Sequence, residues 1–190
     1  MLKNKHILLG VTGGIAAYKT PLFIRELRRS GAEVRVVMTD AAKEFVTPLT
    51  LSTLSANQVI AGTFPDGTSG PVHAGTWHIE LGRWAHVMVI APATANVLAK
   101  LAHGYADNAV TTLALAVRCP ILLAPAMDSD MWLNAATQDN IYRLEEMGYA
   151  ILPPEEGELA SGLVGPGRLP ETDALLRATD AIASQSNQDL

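Results

Sequence analysis

Two glycines, Gly13 and Gly14, stand between an apolar run and a helical pattern near the start of the chain. The run at 7–11 is long enough for a buried strand and too short for an ordinary helix, and the helical pattern covers 15–27. A helix start offers unpaired N–H groups and the positive end of its dipole, and glycines let the backbone approach an anion closely. The loop is therefore a candidate phosphate site, although a glycine turn is equally common as a purely structural feature. Its spacing is neither G-x-G-x-x-G nor Walker A, so it indicates neither a dinucleotide nor a nucleoside triphosphate.

The predicted strands and helices that must position this loop alternate along the chain. Strands are predicted at 7–11, 33–38, 59–63, 86–91, 120–124 and 149–152. Helices are predicted at 15–27, 41–45, from 48 onward, at 93–103, 107–117, 135–147 and 172–183. This alternation predicts a parallel sheet with helices on both faces. A surface loop at 65–75 and a Gly/Pro-rich segment that runs to Pro170 are predicted to be irregular.

Four loops are expected to meet at one edge of that sheet. In parallel sheets, ligands bind outside the carboxyl ends of the strands, where the strand order switches. The loops that follow predicted strands there are 12–16, 39–40, 92–96 and 125–131. Each carries small or hydroxyl side chains that can hydrogen-bond a flat polar ligand and its phosphate. The convergence of the four loops predicts one shared ligand site.

Composition narrows the class of protein. The 190 residues are 48% hydrophobic and 17% charged, which fits one globular domain over 1–183, with 184–190 as a tail or the start of a linker. A net charge of −5 without a basic stripe argues against nucleic acid as the main partner. There is no apolar run of membrane-spanning length and no signal-peptide pattern. Cys119 is the single cysteine, which excludes an intrachain disulfide, so we expect a cytoplasmic protein.

Five motifs in order give the chain a specific resemblance. They are GGIAAYK at 13–19, HIELGRWA at 78–85, PATAN at 92–96, PAMDSDMW at 125–132 and LASGLVGPGRL at 159–169. Together they resemble the homo-oligomeric flavin-containing cysteine decarboxylases, and most of all the branch that acts on 4′-phosphopantothenoylcysteine in coenzyme A biosynthesis. The resemblance implies a flavodoxin-like or Rossmann-like three-layer fold, bound FMN and a homotrimer or homododecamer. It also implies a phosphopantothenoylcysteine ligase as a fused domain or a separate partner, and no membrane partner.

His78 opens the second motif, and the resemblance makes it the active-site base. The substrate thiol must lose a proton as its carbon–sulfur unit is oxidised, and histidine titrates near neutral pH. Without the motif, a histidine at a helix start would more often be a capping or lining residue. The other four histidines lack such a context and are interpreted as structural or solvated; they are His6, His73, His86 and His103.

The resemblance also assigns the FMN contacts. The residues implied on the phosphate side are Gly13, Gly14, Ile15, Ala16 and Thr39. Phe45 is implied to cover part of the isoalloxazine, and the residues implied against flavin and substrate are Pro92, Ala93, Thr94 and Asn96. Thr94 and Asn96 are also good helix N-cap residues, and both roles are compatible.

Substrate contacts are implied in the same way. The residues assigned are Arg83, Asp128, Met131, Ala160 and Gly162. Arg83 is implied to face the site of a neighbouring subunit, where its guanidinium could hold the substrate carboxylate; the alternative is a solvated helix arginine. The segment 159–169 is implied to be a flap that closes over the substrate, with its glycines as hinges.

Two residues depart from the family pattern. Asp128 stands where asparagine is typical, and an ionised aspartate would repel the substrate carboxylate unless it were protonated or paired. We therefore expect Asp128 to be protonated or aimed at an amide N–H. Ser161 stands where the family has the catalytic cysteine that donates a proton in the reductive step, and a serine hydroxyl is far less acidic than a thiol. Cys119 precedes a strand and is expected at the opposite end of the sheet.

These departures leave several functions open. The favoured one is FMN-dependent decarboxylation of 4′-phosphopantothenoylcysteine to 4′-phosphopantetheine, by oxidation to a thioaldehyde, loss of carbon dioxide and reduction of the enethiol. Asp128, Glu158 or water would then relay the proton, and no metal is needed. The alternatives are a peptidyl-cysteine decarboxylase that stops at the enethiol, a non-catalytic flavin-binding regulatory subunit, and a prenyl-transferring flavin relative. The motifs at 78–85 and 159–169 favour the first.

Overall fold

A six-stranded parallel sheet forms the centre of the computed structural model, which describes residues 2–62 and 76–185. Its strands are β1 (His6–Val11), β2 (Glu33–Met38), β3 (Ile60–Ala61), β4 (Val87–Ala93), β5 (Ile121–Pro125) and β6 (Ala150–Ile151). Their spatial order is β3-β2-β1-β4-β5-β6, and every neighbouring pair is parallel. The chain moves outward from β1 to β3 on one side and from β4 to β6 on the other. The strand order therefore switches between β1 and β4, which is where the fold opens a crevice.

Helices cover both faces of the sheet, as the alternation predicted. They are α1 (Thr20–Arg29), α2 (Pro48–Ser55), α3 (Trp77–Trp84), α4 (Ala95–Ala102), α5 (Ala109–Ala116), α6 (Ser129–Leu133), α7 (Ala135–Glu146) and α8 (Thr172–Gln185). Buried side chains of α1, α2 and α8 pack on one face, and those of α3, α4, α5 and α7 pack on the other. Alternate residues of β1 serve the two cores, since Ile7 and Leu9 belong to the first and Leu8 to the second. The predicted α/β fold class is confirmed.

A contact without side chains joins α3 to α5. A Cβ atom at Gly82 would lie 2.7 Å from the carbonyl oxygen of Ala116 and 3.1 Å from its carbon. The absence of a side chain at Gly82 therefore lets the backbones of the two helices approach directly.

The Gly/Pro-rich segment before α8 forms a hairpin that the sequence did not predict. Its strands are β7 (Glu155–Glu158) and β8 (Val164–Arg168), paired antiparallel. The hairpin packs against the segment that follows β5, because the N–H of Met127 donates to the carbonyl of Gly167 at 3.0 Å. Gly165 adds to this packing, since a Cβ there would lie 2.6 Å from Oγ of Ser129.

Most predicted boundaries differ from the structure by one to three residues. The helix predicted at 15–27 is a 3₁₀ turn at Ile15–Lys19 followed by α1, which extends to Arg29. Pro21 explains the break, because a proline is tolerated in the first turn of an α-helix and not in its interior. The segment predicted at 41–45 is likewise a 3₁₀ turn, at Asp40–Glu44. The loop predicted at 65–75, with His73, lies outside the described residues, and among those described no helix is long and apolar enough to cross a membrane.

Candidate functional site

A cavity of about 1000 Å³ opens at the carboxyl ends of β1, β2, β4 and β5. All four loops predicted to converge contribute to its lining. Of the predicted site residues, those that line it are Gly13, Gly14, Ile15, Ala16, Thr39, Thr94, Asn96, Asp128, Met131, Ala160 and Ser161. The last two belong to the β7–β8 hairpin, which forms a further wall. The fold therefore brings together predicted site residues that lie up to 148 positions apart, Gly13 and Ser161.

The glycine loop after β1 leaves no room for side chains. A Cβ atom at Gly13 would overlap that of Ala41 and lie 2.8 Å from the backbone carbon of Ala41. At Gly14 a Cβ would lie 3.3 Å from Cγ2 of Thr94. The loop leads into the 3₁₀ turn and not directly into an α-helix. The dipole of an α-helix therefore does not support a phosphate site here, contrary to the prediction from the sequence. What remains is a backbone that a ligand can approach closely.

Thr12 connects the glycine loop to the loop after β4. Its buried hydroxyl donates to the carbonyl oxygen of Pro92 at 2.6 Å and accepts the N–H of Thr94 at 3.2 Å. Thr94 in turn caps α4, since its hydroxyl accepts the N–H of Val97 at 3.4 Å. Sequence reasoning included Thr12 in a loop but assigned it no role. The available signal was a hydroxyl residue at the end of a central strand, next to the switch in strand order.

Thr39 presents a polar atom without a partner. Its Oγ1 is buried, and none of the described residues forms a hydrogen bond with it. The same residue lines the cavity. A buried hydroxyl without a partner is unfavourable, so this position favours a ligand that supplies a hydrogen bond.

The two residues that depart from the family pattern contact each other. The hydroxyl of Ser161 donates to Oδ2 of Asp128 at 2.5 Å, across 33 positions of sequence. Oδ1 of Asp128 accepts the N–H of Asp130 at 3.2 Å and caps α6. Asp128 thus adopts the second of its two expected arrangements, in which the carboxylate is aimed at an amide N–H.

Two other carboxylates of the cavity lining, those of Asp40 and Asp107, have lysine partners. Asp107 lies 2.5 Å from Nζ of Lys100, and hydrogen bonding to this lysine lowers the pKa of Asp107. Asp40 lies 2.7 Å from Nζ of Lys43. Outside the lining, Glu171 receives Lys19 at 2.9 Å and Arg168 at 3.1 Å, and Lys19 is the main cause of the lowered pKa of Glu171. The cations that line the cavity, Lys19, Lys100 and Arg168, are therefore each already paired with a carboxylate, and Lys19 and Arg168 share Glu171.

The remaining predicted FMN and flap residues do not line the cavity. Pro92 and Ala93 are buried in β4, directly behind Thr94. Phe45 is 43% exposed and lies outside the lining, and Gly162 is an exposed residue of the turn between β7 and β8.

The two predicted catalytic and substrate-binding residues of α3 also lie outside the cavity. His78 is half-buried, with its ring edge-on to Trp77 at a centroid distance of 5.6 Å. Arg83 is exposed and precedes Trp84, which stacks on His6 at the opposite end of the sheet. Within one copy of the chain, neither His78 nor Arg83 completes the cavity.

A stacked cluster occupies the amino end of the sheet. The ring of His6 lies between those of Trp84 and His86, with centroid distances of 4.6 Å on each side. Nδ1 of His6 lies 3.0 Å from the carbonyl oxygen of Trp84, and the backbone N–H of His6 donates to Nδ1 of His86 at 3.0 Å. The guanidinium of Arg35 covers the other face of Trp84 at 4.4 Å. Cys119 also precedes the amino end of its strand, and burial raises its pKa to about 11.

Comparisons with known proteins agree with this geometry. A sequence model of the flavoprotein family matches residues 1–184. The coenzyme A biosynthesis bifunctional proteins CoaBC of Vibrio vulnificus and Escherichia coli K12 are each 47% identical, over 171 and 169 residues. These matches cover 90% and 88% of this chain but only 41% and 40% of the relatives, so the chain spans less than half their length.

Solved structures of similar chains share the fold. The FMN-dependent cysteine decarboxylase SpaF superposes with a TM-score of 0.83 at 35% identity, covering 98% of this chain and 99% of that one. A cysteine-to-serine variant of a PPC decarboxylase, complexed with pantothenoylaminoethenethiol, superposes with a TM-score of 0.82 at 33% identity, covering 94% and 98%.

Proposed function

We infer that this chain, which belongs to the flavoprotein family, binds FMN and decarboxylates 4′-phosphopantothenoylcysteine to 4′-phosphopantetheine. The observation that carries the proposal is the buried, unpartnered hydroxyl of Thr39 in a cavity with a side-chain-free glycine loop. Such a cavity suits a ligand with a phosphate and a polar ring. The choice of substrate rests on the similarity to bifunctional coenzyme A biosynthesis proteins.

The residues present fit FMN. Gly13 and Gly14, with Ile15 and Ala16, would hold the phosphate side, and the Thr39 hydroxyl would gain the hydrogen bond that it lacks. The residues that would face ring and substrate are Thr94 and Asn96, with Pro92 and Ala93 supporting that loop from within β4. Phe45 is left out of the proposed FMN site because it does not line the cavity. A volume of about 1000 Å³ leaves space for a substrate beside the cofactor.

Bound FMN would supply the redox chemistry, by accepting a hydride from the carbon that bears sulfur and later returning it. The chain's own residues would position the substrate and manage protons. Asp128, Met131 and Ala160 line the wall where the substrate would lie, and the β7–β8 hairpin would limit access of water. Gly162, in the turn of that hairpin, would let the turn adjust over the substrate, since its φ of 84° lies in the left-handed region.

The thiol base would come from a second copy of the chain. His78 and Arg83 lie on α3, outside this cavity. His78 is half-buried and Arg83 is exposed. A homotrimer or homododecamer in which α3 of one copy reaches the cavity of the next would complete the site. His78 would then take the thiol proton, and Arg83 would hold the substrate carboxylate. We further propose a cytoplasmic location and a ligase, fused or separate, that supplies the substrate.

The test uses purified protein loaded with FMN. The protein should become yellow, release carbon dioxide from 4′-phosphopantothenoylcysteine and yield 4′-phosphopantetheine by mass spectrometry. His78→Asn should retain the colour and lose carbon dioxide release, whereas the matched control His103→Asn, at the end of α4, should retain both. A protein that takes up no FMN would refute the proposal.

A second candidate is favoured by one residue. Ser161 replaces the thiol expected of the coenzyme A branch, which is the change expected of an enzyme that stops at the enethiol. Mass spectrometry separates the two candidates, because the enethiol is two hydrogens lighter than 4′-phosphopantetheine.

A further inference from the structure

We propose that Asp128 and Ser161 form a proton relay that delivers, to the substrate carbon, the proton that replaces the lost carboxylate. The inference rests on the proposed decarboxylation and names the acid that the reaction requires. Replacing a carboxylate by hydrogen consumes one proton in each turnover, and that proton must reach carbon from the protein or from water. A serine hydroxyl alone is too weak an acid to supply it at neutral pH.

The contact between the two side chains has the geometry of a relay. Oγ of Ser161 lies 2.5 Å from Oδ2 of Asp128, and both residues line the cavity. The hydroxyl is exposed at the hairpin turn and Asp128 is half-buried at the cavity wall. The hairpin is held in this position through Gly165 and Gly167, which pack on the segment that carries Asp128. Ser161 and Asp128 thus contact each other on the wall of the same cavity.

Asp128 differs from the other cavity aspartates in its partner. Asp40 and Asp107 each form an ion pair with a lysine, and hydrogen bonding to Lys100 lowers the pKa of Asp107. Within the described ranges no cation pairs with Asp128, whose side-chain partners are a hydroxyl and an amide N–H. The charged residues that also line the cavity from the elements around Asp128 are Lys19, Asp40, Lys100, Asp107, Glu158 and Arg168. Of the cations in this set, Lys19, Lys100 and Arg168 are all paired with other carboxylates.

A hydroxyl partner works in both protonation states of the carboxyl group. When Asp128 is ionised, it accepts the Ser161 proton, as the structure has it. When Asp128 is protonated, its O–H can donate to Oγ across the same distance, and the Ser161 proton is free to point at the substrate. The proposed substrate brings a second carboxylate into this cavity, and two carboxylates that share a site favour protonation of one of them. The guanidinium of Arg83, proposed to pair with the substrate carboxylate, would keep that group ionised, which leaves Asp128 to take the proton. Substrate binding therefore prepares the relay.

The bond between the substrate carbon and its carboxylate breaks, carbon dioxide leaves, and the electron pair stays in the enethiolate. That pair then forms a C–H bond with the proton of the Ser161 hydroxyl, and Oγ regains a proton from Asp128. Asp128 is reprotonated from solvent when the next substrate binds, which gives a net uptake of one proton per carbon dioxide. No oxidant or reductant is needed beyond the cofactor that the proposed function already includes.

The first experiment identifies the product with enzyme in molar excess over substrate, so that each site turns over at most once. Wild type should give the saturated thiol. Asp128→Asn and Ser161→Ala should each release carbon dioxide but lower the saturated fraction at least about tenfold, in favour of the enethiol. Asp130→Asn is the matched control, because this neighbouring aspartate does not line the cavity, and its product should equal that of wild type.

A rescue variant separates loss of the relay from damage to the fold. Asp128→Asn combined with Ser161→Cys replaces the pair by the residues that the resemblance gives for the family, and it should restore the saturated thiol. The relay is overturned if wild type yields only the enethiol, or if Asp128→Asn yields as much saturated thiol as wild type. If wild type releases no carbon dioxide, the proposed decarboxylation is refuted and the relay with it, and the binding experiment below then tests only whether Asp128 takes up a proton.

The second experiment does not depend on turnover. The probe is the serine analogue of the substrate, in which a hydroxyl replaces the thiol, and titration calorimetry in two buffers of different ionisation enthalpy counts protons taken up on binding. Wild type should take up about one proton per ligand near neutral pH, because two carboxylates then share the site. Asp128→Asn should take up none, and equal uptake by both proteins would overturn the relay.

Discussion

The two ends of the same central strands are built in opposite ways. At the amino end of β1 and β4, the rings of His6, Trp84 and His86 stack at centroid distances of 4.6 Å, with Arg35 over the outer face. Large side chains there fill the space, and the rings of His6 and His86 also hydrogen-bond to backbone groups of this cluster. At the carboxyl end, glycines and small hydroxyl residues leave a cavity of about 1000 Å³. Side chains pack on one another at the amino end, whereas the carboxyl end leaves room for a ligand.

The difference shows how a single sheet separates stability from binding. Residues that follow a strand at its carboxyl end must remain small or polar, because the switch in strand order opens a crevice there. Residues that precede a strand at its amino end face no such demand and can pack on their neighbours. Substitutions at the two ends should therefore change different measurements, FMN affinity at one and unfolding at the other.

The largest effect is expected from Gly13→Ala. The new Cβ would overlap that of Ala41 and press on its backbone, and overpacking of this kind costs about 1–3 kcal/mol. We expect FMN affinity, measured by fluorescence titration, to fall by up to about a hundredfold. Gly104→Ala is the control, since Gly104 has a φ of 71° but lies outside the cavity, so this change should lower stability and leave affinity intact. Unchanged FMN binding by Gly13→Ala would contradict the close packing of the loop.

Thr12→Val tests whether a residue at the carboxyl end of the sheet also contributes to the stability of the fold. The change leaves the carbonyl of Pro92 and the N–H of Thr94 without their buried partner. The free energy of unfolding in urea should fall by about 1–3 kcal/mol. Thr12→Ser, which keeps the hydroxyl, should recover most of that loss. Equal stability of the valine and serine variants would show that the hydroxyl bridge contributes nothing.

Thr39→Val should have effects of opposite sign with and without ligand. The Thr39 hydroxyl has no partner among the described residues, so its removal should leave the FMN-free protein as stable or more stable, by up to about 1 kcal/mol. FMN affinity should fall about tenfold, since one hydrogen bond is lost. The control is Thr20→Val, because the buried Thr20 hydroxyl donates to Ala17 at 2.7 Å and its loss should lower stability. A stability loss at Thr39 as large as that at Thr20 would refute the assignment.

The smallest effect concerns pH at the amino end. Burial, followed by the charges of His6 and Lys5, lowers the pKa of His86 below its ordinary value of 6.5. The unfolded chain then binds this proton at a higher pH than the folded chain, so stability is complete above about pH 6.5 and falls as the pH drops through it. The loss should stay under about 1 kcal/mol, because His86 is exposed and solvent screens it.

The measurement for this prediction is urea unfolding between pH 8 and pH 5. His86→Asn keeps a side-chain acceptor for the N–H of His6 but does not titrate, so its stability should fall less steeply with pH than that of wild type. Identical pH profiles for the two proteins would exclude His86 as the source.

The sheet was predictable from the sequence because its central strands are short apolar runs bounded by polar or glycine residues. Once the strands were taken as parallel, the convergence of four loops followed from topology. The β7–β8 hairpin was not predictable, since EEGE and VGPGR show no alternation of apolar and polar residues. Its pairing depends on packing against the segment that carries Asp128.

The contacts that matter most in the site were also beyond sequence reasoning. Thr12 finds its partners 80 and 82 positions away, and Ser161 finds Asp128 33 positions away. A side chain's type shows that it can form a hydrogen bond but not with which residue. The motif around His78 indicated a catalytic role, yet only the structure shows that the residue lies outside its own cavity.

The contact at Gly82 fixes how His78 would reach another copy of the chain. Because α3 meets the backbone of α5 at this glycine, main-chain atoms set the distance between the two helices at this point. One added methyl group at position 82 would push the helices apart and tilt α3. Under the proposed function, such a chain would still turn yellow with FMN but would present its imidazole to a neighbouring copy at the wrong angle, so FMN would bind without turnover.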